Sequence, residues 1–309
     1  MKTNRKEPLV SVLIGTRDRP ESLLRCLDSV LSQTYPEFEI LVLDDYSEKH
    51  NICYIVNKYV SDGRVKCFRS ETQLGVAGGR NFLIKRANGE ILVFLDDDAW
   101  FDNERCLEKI VNHFSQDPCL GAIAFKIIVY DGYRKDLQVP FSRHARRKWP
   151  NLTSQTRLCS YYIGAGHALR KEIIQQCGLY QDNYMFYGEE LDLAYRMIQK
   201  GFHLLYTPDV IVHHMPQCSV LDKKSDKELY FTVRNRIWFA YKYLPFPYLL
   251  IHLLIWLGYY GATAIRNNRL PEFFRGIWTA IAELKGQRRS ALTKQTLTYL
   301  KTNFGRLWY

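Results

Sequence analysis

Three consecutive aspartates, Asp96, Asp97 and Asp98, follow the apolar run ILVFL at 91–95. Adjacent carboxylates on the rim of a strand repel one another, and in a cleft one takes up a proton unless a cation compensates. A divalent metal is the natural compensation. Side chains alternate along an extended chain, so Asp96 and Asp98 point to one side and Asp97 to the other. That spacing lets Asp98 ligate a hard, oxygen-seeking ion, Mg²⁺ or Mn²⁺, with Asp96 as its same-side partner. The competing role is capping of a helix expected at 103–116, for which Asp102 and Asn103 are better placed. Three further groupings carry chemistry: Asp44 and Asp45 close the run EILVL, Glu189 and Glu190 open the helical stretch GEELDLAYR, and His213 and His214 end the run VIV. A glutamate at a helix start complements the helix dipole and can equally serve as a base in a cleft. A histidine pair beside acids can complete a metal shell.

These residues need elements to hold them. Between 9 and 95, short β-branched runs alternate with helical periodicity, the pattern of a mostly parallel α/β sheet. Strands are expected at 9–15, 39–45, 64–68 and 91–95. Residues 19–34 place Leu23, Leu24, Leu27, Val30 and Leu31 on one helical face, with Pro20 in the first turn. A glycine-rich turn within 73–89 leads into another helix. The runs at 39–43 and 91–95 are apolar on both faces, as strands between two helical layers must be. Ligands of open α/β sheets bind beyond the carboxyl ends of the strands, so Asp44, Asp45 and Asp96 to Asp98 should converge on one crevice. From about 120 the order changes. Strand-like segments at 121–130 and 160–170 flank a basic loop at 142–150, a helix is expected at 187–201, and strand-like HLLYT and VIVHHMP follow.

The chain of 309 residues is 47% hydrophobic and 24% charged, a globular composition that excludes long disorder. Of its net charge of +11, nearly all falls in 221–309, which has 15 Lys or Arg against 5 Asp or Glu. A nearly neutral body with a basic end points to an anionic surface there. Nucleic acid fits the charge, but the basic residues flank an apolar segment and not an aromatic groove motif, so no nucleic-acid partner is expected. A helix over 246–265 would reach ~30 Å, the thickness of a bilayer core. Pro245, Pro247, His252, Gly258 and Gly261 interrupt it, and its many Trp and Tyr residues suit an interface. With basic helices on either side, at 223–242 and 266–301, the expectation is peripheral or monotopic attachment to a membrane surface, the alternative being a buried C-terminal helix. The eight cysteines show no C-x-x-C pair, which suggests reduced thiols in a cytosolic protein. The first residues lack the apolar stretch of a secretory signal.

The segments VSVLIGTRDRPESLLRCLDSVLSQTYPEFEILVLDDYS, LGVAGGRNFLI, ILVFLDDDAWF, GEELDLAYR and VIVHH, in this order, resemble a family 2 glycosyltransferase of GT-A fold. The closest flavour is that of rhamnosyltransferase-like enzymes of bacterial surface polysaccharide assembly. The resemblance covers about 9–245. It implies a Rossmann-like central sheet flanked by helices, a catalytic domain at 1–220 (nucleotide-sugar half about 9–120, acceptor half about 121–220) and a helical, membrane-associated extension at 221–309. Thr16, Arg17 and Arg19 would border the nucleotide, and Asp45 would contact base or ribose. Arg80 and Asn81 would lie against nucleotide or diphosphate, with Gly78 and Gly79 allowing close backbone approach. Asp96 and Asp97 would also face the nucleotide sugar, while Asp96 and Asp98, with His213 or His214, would hold the metal at the donor diphosphate. Arg234 and Arg236 are candidate contacts to diphosphate or acceptor. The family usually has Glu-Asp where this chain has Glu189 and Glu190, and the second member acts as base, which makes Glu190 the catalytic candidate. The implied activity is inverting, metal-dependent transfer from a dTDP- or UDP-sugar to a lipid-linked or polysaccharide acceptor, at the cytoplasmic, inner face of the plasma membrane. A non-catalytic nucleotide-sugar binder or membrane scaffold is the alternative, and it would have no need of Glu190. A phosphotransferase using the acidic strand end is weaker, since no matching lysine and Thr/Ser motif follows.

Overall fold

A computed structural model describes residues 7–132, 134–216 and 226–308. The first hundred residues alternate as the hydrophobic pattern requires: β1 (Val10–Thr16), α1 (Pro20–Leu31), β2 (Phe38–Asp44), α2 (Ile52–Val60), β3 (Val65–Arg69), α3 (Gly75–Ile84) and β4 (Ile91–Asp96). These strands pair in parallel in the order β3-β2-β1-β4. The register sets Thr16 beside Asp44 and Gly15 beside Asp96, so the acidic strand ends share one sheet edge.

Next come β5 (Ala99–Phe101), α4 (Cys106–Gln116), β6 (Leu120–Asp131), β7 (Arg134–Gln138), α5 (Arg143–Lys148), β8 (Arg157–Leu158), β9 (Gly166–Arg170), α6 (Lys171–Cys177), α7 (Glu189–Gln199) and β10 (His203–His214). The sheet continues β4-β9-β6-β10-β5, and antiparallel pairing enters at β9. The two runs at 203–207 and 210–214 form one strand, with a register shift between Thr207 and Ile211. Pro208 falls in that break, where its missing N–H removes no ladder bond. The basic stretch at 142–150 is not all loop: Ser142 accepts the Ala145 N–H and starts α5. Of the expected strand at 160–170, 166–170 pairs, as β9.

Helices cover both faces of the sheet. On one, Leu23, Leu27 and Val30 of α1 pack with Val12, Ile14 and Val42; on the other, Leu13, Leu41 and Phe94 join Ala194 and Met197 of α7. Each such buried side chain stabilises the fold by about 1.5–3 kcal/mol relative to exposure.

The C-terminal helices are α8 (Asp226–Tyr243), α9 (Tyr248–Arg266), α10 (Leu270–Ala282) and α11 (Lys294–Thr302). Phe239, Tyr243, Leu292, Leu300 and Leu307 belong to the same apolar cluster as α7 and the sheet. Asp192 of α7, fully buried, accepts from Tyr243 Oη at 2.7 Å, from Arg196 Nε at 2.8 Å and from Lys242 Nζ. Residues beyond 225 therefore share a core with the helix that carries Glu189 and Glu190. The expected boundary at 220/221 lies outside the described residues, as does the start of the helix expected at 223. α9 is long and apolar enough to cross a membrane by length and composition, and little of it is buried. Leu254 of α9 and Trp278 of α10 are each 75% exposed.

Two local expectations are corrected. Asp102 does not cap α4; its carboxylate accepts from His213 Nε2 at 2.7 Å, while Gln33 Oε1 accepts the Leu107 N–H. The thiols are not all free: α2 packs on β3 and brings Cys53 and Cys67 within 5.4 Å between Cα atoms, joined as a disulfide. Cys26, Cys106, Cys119, Cys159 and Cys177 are free, and Cys218 lies outside the described residues.

Candidate active site

The carboxyl ends of β1, β2 and β4 form the floor of the site, and each acid there has its own set of partners. Asp44 is fully buried, accepting the Ser47 N–H at 2.8 Å and pairing with Arg69 at 2.9 Å. Asp45 accepts the N–H groups of Leu74 and Gly75 at 2.7 and 3.0 Å, satisfying the open amino end of α3. Arg17 pairs with Glu48 toward the surface. Asp18 takes up N–H groups of Glu48, Lys49 and His50, which fixes the loop that follows β2.

β4 ends at Asp96 and residues 97–98 form a turn, so the alternation expected of an extended chain does not apply, and Arg19 Nη1 reaches both Asp97 and Asp98. Asp97 turns inward, accepting from Thr16 Oγ1 at 2.6 Å and pairing with Arg19 at 3.1 Å. Burial, with the Asp98 charge beside it, pushes its carboxyl up to about 7, against the pull of Arg19. Asp96 and Asp98 meet His214, with one ligand atom from each lying within 4.8 Å of the others. Burial works to raise Asp98, but the His214 hydrogen bond and the Arg19 charge outweigh it and hold it below the usual carboxylate range. Arg19 Nη1 reaches Asp98 at 2.8 Å. His214 Nε2 lies 3.1 Å from Asp98, and its buried Nδ1 has no hydrogen-bond partner among the described residues. Two carboxylates and one imidazole are a donor set suited to a hard or borderline divalent ion, and they fit one here. His213 is not part of this set. Its Nδ1 meets Tyr130 Oη at 2.9 Å and its Nε2 is given to Asp102, so both ring nitrogens are engaged.

Facing the acids is the start of α7. Gly188, with φ +96°, ends a tight segment in which Met185 and Tyr187 also have positive φ (54° and 63°). For non-glycine residues this conformation is costly and persists where surroundings enforce it. The enforcing group is Asn235 of α8, whose Nδ2 lies 2.7–2.8 Å from the carbonyl oxygens of Tyr184, Phe186 and Tyr187. Arg234 assists by donating to the carbonyl of Asn183 at 2.5 Å, and is 4.2 Å over the Trp238 ring. It holds the loop, and its guanidinium is committed there. Arg236 lies two residues on and lines a cleft with Tyr187, Gly188 and Leu191.

Arg80 connects the two sides. Its Nη1 lies 3.1 Å from Glu189 Oε1 and 3.2 Å from Glu190 Oε1, its Nη2 donates to Gly164 O at 3.1 Å, and Asp96 is 3.8 Å away. Glu189 is buried, and burial together with the neighbouring Glu190 raises its carboxyl to about 8 despite Arg80. Glu190 is more exposed, at 19% of its side chain, and lines the open side. Asn81 does not face the crevice: its amide bonds the backbone N–H and carbonyl of Tyr180 and the Asp182 carboxylate, anchoring the segment before α7.

Sequence reasoning missed Gly164 and Asn235. A Cβ on Gly164 would sit 2.2 Å from Glu190 Oε1 and 2.8 Å from Arg80 Nη2, so only glycine leaves room for the pair. The repeated glycines of YIGAG were the available signal, read as part of a strand. Nothing local in VRNRI distinguishes Asn235.

An α/β sheet whose strand ends gather Asp96, Asp98 and His214 opposite a glutamate pair has the architecture of GT-A glycosyltransferases. Known proteins agree. Residues 11–178 match the description of glycosyl transferase family 2, and the chain belongs to that family. It is 26% identical over 225 residues to the O-antigen biosynthesis protein RfbC of Myxococcus xanthus, a match covering 68% of this chain and 18% of that protein. It is 38% identical over 108 residues to the Escherichia coli UDP-Glc:alpha-D-GlcNAc-diphosphoundecaprenol beta-1,3-glucosyltransferase WfaP, covering 35% of this chain and 41% of that one. The chain thus spans less than half the length of both relatives. The crystal structure of GalNAc-T7 with UDP, GalNAc and Mn²⁺ superposes with a TM-score of 0.60 at 23% identity, over 75% of this chain and 48% of that one. The protein is a family 2 glycosyltransferase of GT-A fold.

Proposed function

We propose that this enzyme transfers a sugar, with inversion at the anomeric carbon, from a UDP- or dTDP-sugar to a lipid-linked saccharide, and that it needs Mg²⁺ or Mn²⁺. The observation that carries the reading is the bridge made by Arg80, which joins Glu190 to Asp96 of the Asp96, Asp98 and His214 group. Glu190 takes the proton of an acceptor hydroxyl, that oxygen bonds to the anomeric carbon, and the bond to the nucleotide diphosphate breaks. General-base help of this kind is worth about a hundredfold or more. Glu189, its buried carboxyl raised to about 8, fixes Arg80 beside the base. Asp96, Asp98 and His214 would hold the metal, which when bound supplies Lewis-acid stabilisation to the leaving diphosphate. Arg19 neutralises the excess charge of Asp97 and Asp98.

The lipid-linked acceptor is supported by the names of the relatives, one of which acts on a diphosphoundecaprenol-linked sugar. It is supported too by the exposed apolar faces of α9 and α10, which suit peripheral or monotopic attachment at the inner face of the plasma membrane. The Cys53–Cys67 disulfide favours an oxidising compartment instead.

Proton NMR of the product formed from a panel of UDP- and dTDP-sugars tests the reaction: inverted anomeric configuration is expected, and retention would refute the single displacement. In the same assay Glu190→Gln should bind nucleotide sugar as wild type does and lose about a hundredfold or more in transfer. Unchanged turnover in that variant would move the base to Glu189.

A further inference from the structure

His167 is fully buried in β9, where its neighbours across the sheet are Phe94 of β4 and Ala124 of β6. An inner strand position of this kind is ordinarily apolar, and an imidazole there costs free energy unless its ring nitrogens are hydrogen-bonded. Both are. The ring is stacked between Phe94, at 4.7 Å between centroids and 9° between planes, and Tyr162, at 4.4 Å and 26°. Its Nδ1 lies 3.2 Å from the Ile163 carbonyl oxygen and its Nε2 2.9 Å from Tyr180 Oη, which in turn is 3.2 Å from Tyr162 Oη.

These contacts allow one arrangement of protons. A carbonyl oxygen only accepts, so Nδ1 carries a hydrogen. Burial, together with the Arg80 charge, holds the imidazole well below its usual range and so neutral, which leaves Nε2 to accept from Tyr180. The Tyr180 hydroxyl has then given its own hydrogen away, and it accepts from Tyr162. The chain runs in one direction, from Tyr162 through Tyr180 and His167 to the Ile163 carbonyl. Two of its members meet the site. The turn at 163–165 carries Gly164 O, which accepts from Arg80 Nη2 at 3.1 Å, and Ala165 O, which accepts the Asp96 N–H at 3.2 Å. The Tyr180 ring faces the Arg80 guanidinium, 5.5 Å from the ring centroid. Asn81 fixes the backbone of Tyr180, whereas the hydroxyl at the far end of its ring is held by His167.

We infer that His167 is a positioning residue for the transfer step: its two hydrogen bonds hold the 163–165 turn and the Tyr180 ring so that Arg80 keeps Glu190 joined to Asp96. The inference rests on the reading of Glu190 as the base and adds the group that stands behind it. His167 touches no reacting atom. It acts through the planar fork of Arg80, so that a shift of the turn or the ring displaces the guanidinium and, with it, the carboxylate that must meet the acceptor hydroxyl.

Heteronuclear NMR of the full chain, labelled at its histidine nitrogens, tests the proton arrangement. At neutral pH His167 should show a protonated Nδ1 and an unprotonated Nε2; the opposite tautomer, or an imidazolium, would overturn the chain. Steady-state kinetics test the role. His167→Phe keeps a stacked ring and removes both hydrogen bonds, and it should lower kcat by roughly tenfold while KM for nucleotide sugar stays within about twofold of wild type. Tyr180→Phe removes one of the two bonds, should lower kcat several-fold, and serves if His167→Phe fails to fold. The double variant should lose no more than His167→Phe alone, since both changes break the same chain. Wild-type kcat in the folded single variants, a rise in KM in place of the fall in kcat, or losses that multiply in the double variant would each overturn the positioning role. Glu190→Gln separates this inference from the base reading. Impaired Glu190→Gln with His167→Phe as active as wild type removes His167 alone, whereas impaired His167→Phe with fully active Glu190→Gln removes Glu190 as base and leaves the hold of His167 on Arg80.

Discussion

Strands β2 and β4 end in the same way in sequence, an apolar run followed by aspartates, and they end side by side in space through β1. Their acids nonetheless live differently. At β2, Asp44 and Asp45 are consumed by internal donors: the Ser47 N–H, the Arg69 guanidinium and the first N–H groups of α3. At β4, Asp97 is held by Thr16 and Arg19, and buried Asp98 by Arg19 and His214, whereas the Asp96 carboxylate stays part exposed beside His214. The difference teaches that strand ends alike in sequence diverge by which donors tertiary structure brings to each carboxylate, backbone N–H groups at β2 and side-chain cations at β4.

Substitutions that break this contrast separate the two strand ends. The largest effect belongs to Asp98→Asn, which should lower Mn²⁺ affinity and transfer by about a thousandfold, several kcal/mol of lost Lewis-acid stabilisation. Mn²⁺ titration followed by electron paramagnetic resonance checks it, and unaltered affinity would mean that Asp98 is as structural as Asp44. Asp45→Ala should do the reverse, costing about 1–3 kcal/mol of stability by leaving two N–H groups of α3 without their acceptor, with Mn²⁺ affinity unchanged. Urea denaturation measures the first quantity; if metal binding fell with it, the two strand ends would form one site and the contrast would fail.

The smallest effect on turnover is expected of Glu189→Gln, an isostere of the neutral carboxyl, which should stay within about threefold of wild type, less than 1 kcal/mol. Its signature is in stability. Glu189 is an acid whose folded-state value, about 8, stands above its ordinary 4.5. Its contribution is therefore complete below the ordinary value and is lost as pH rises through about 8, on the order of a few kcal/mol for so buried a group. Wild-type stability should fall between those limits, and the glutamine variant, which cannot ionise, should lack that slope. Urea midpoints across pH 5–9 decide it.

Much of the fold was legible because hydrophobic period is a local property. The strands at 9–15, 39–45, 64–68 and 91–95 each lie within one or two residues of β1 to β4, and the face of α1 carrying Leu23, Leu27 and Val30 is buried as its spacing required. The placement of Asp97 and Asp98 did not follow from strand geometry, because the chain turns after Asp96. Harder to read were partners far apart in the chain. His213 and His214 are adjacent in sequence and equivalent in type, yet one is spent on Tyr130 and Asp102 while the other meets Asp98, because successive residues of β10 face opposite sides. Asn81 and Arg80 are neighbours of the same kind, one anchoring Tyr180 and the other joining the glutamates to Asp96.

The C-terminal residues show the same division. Sequence determined that they are helical and basic, with an apolar stretch at 246–265. Tertiary structure decided that α8 belongs to the catalytic layer, with Lys242 and Tyr243 on Asp192 and Asn235 holding the strained loop before Glu189. The reason is physical: periodicity and composition fix what a segment can bury, whereas hydrogen-bond partners and charge states depend on which distant groups the packed chain brings within about 3 Å.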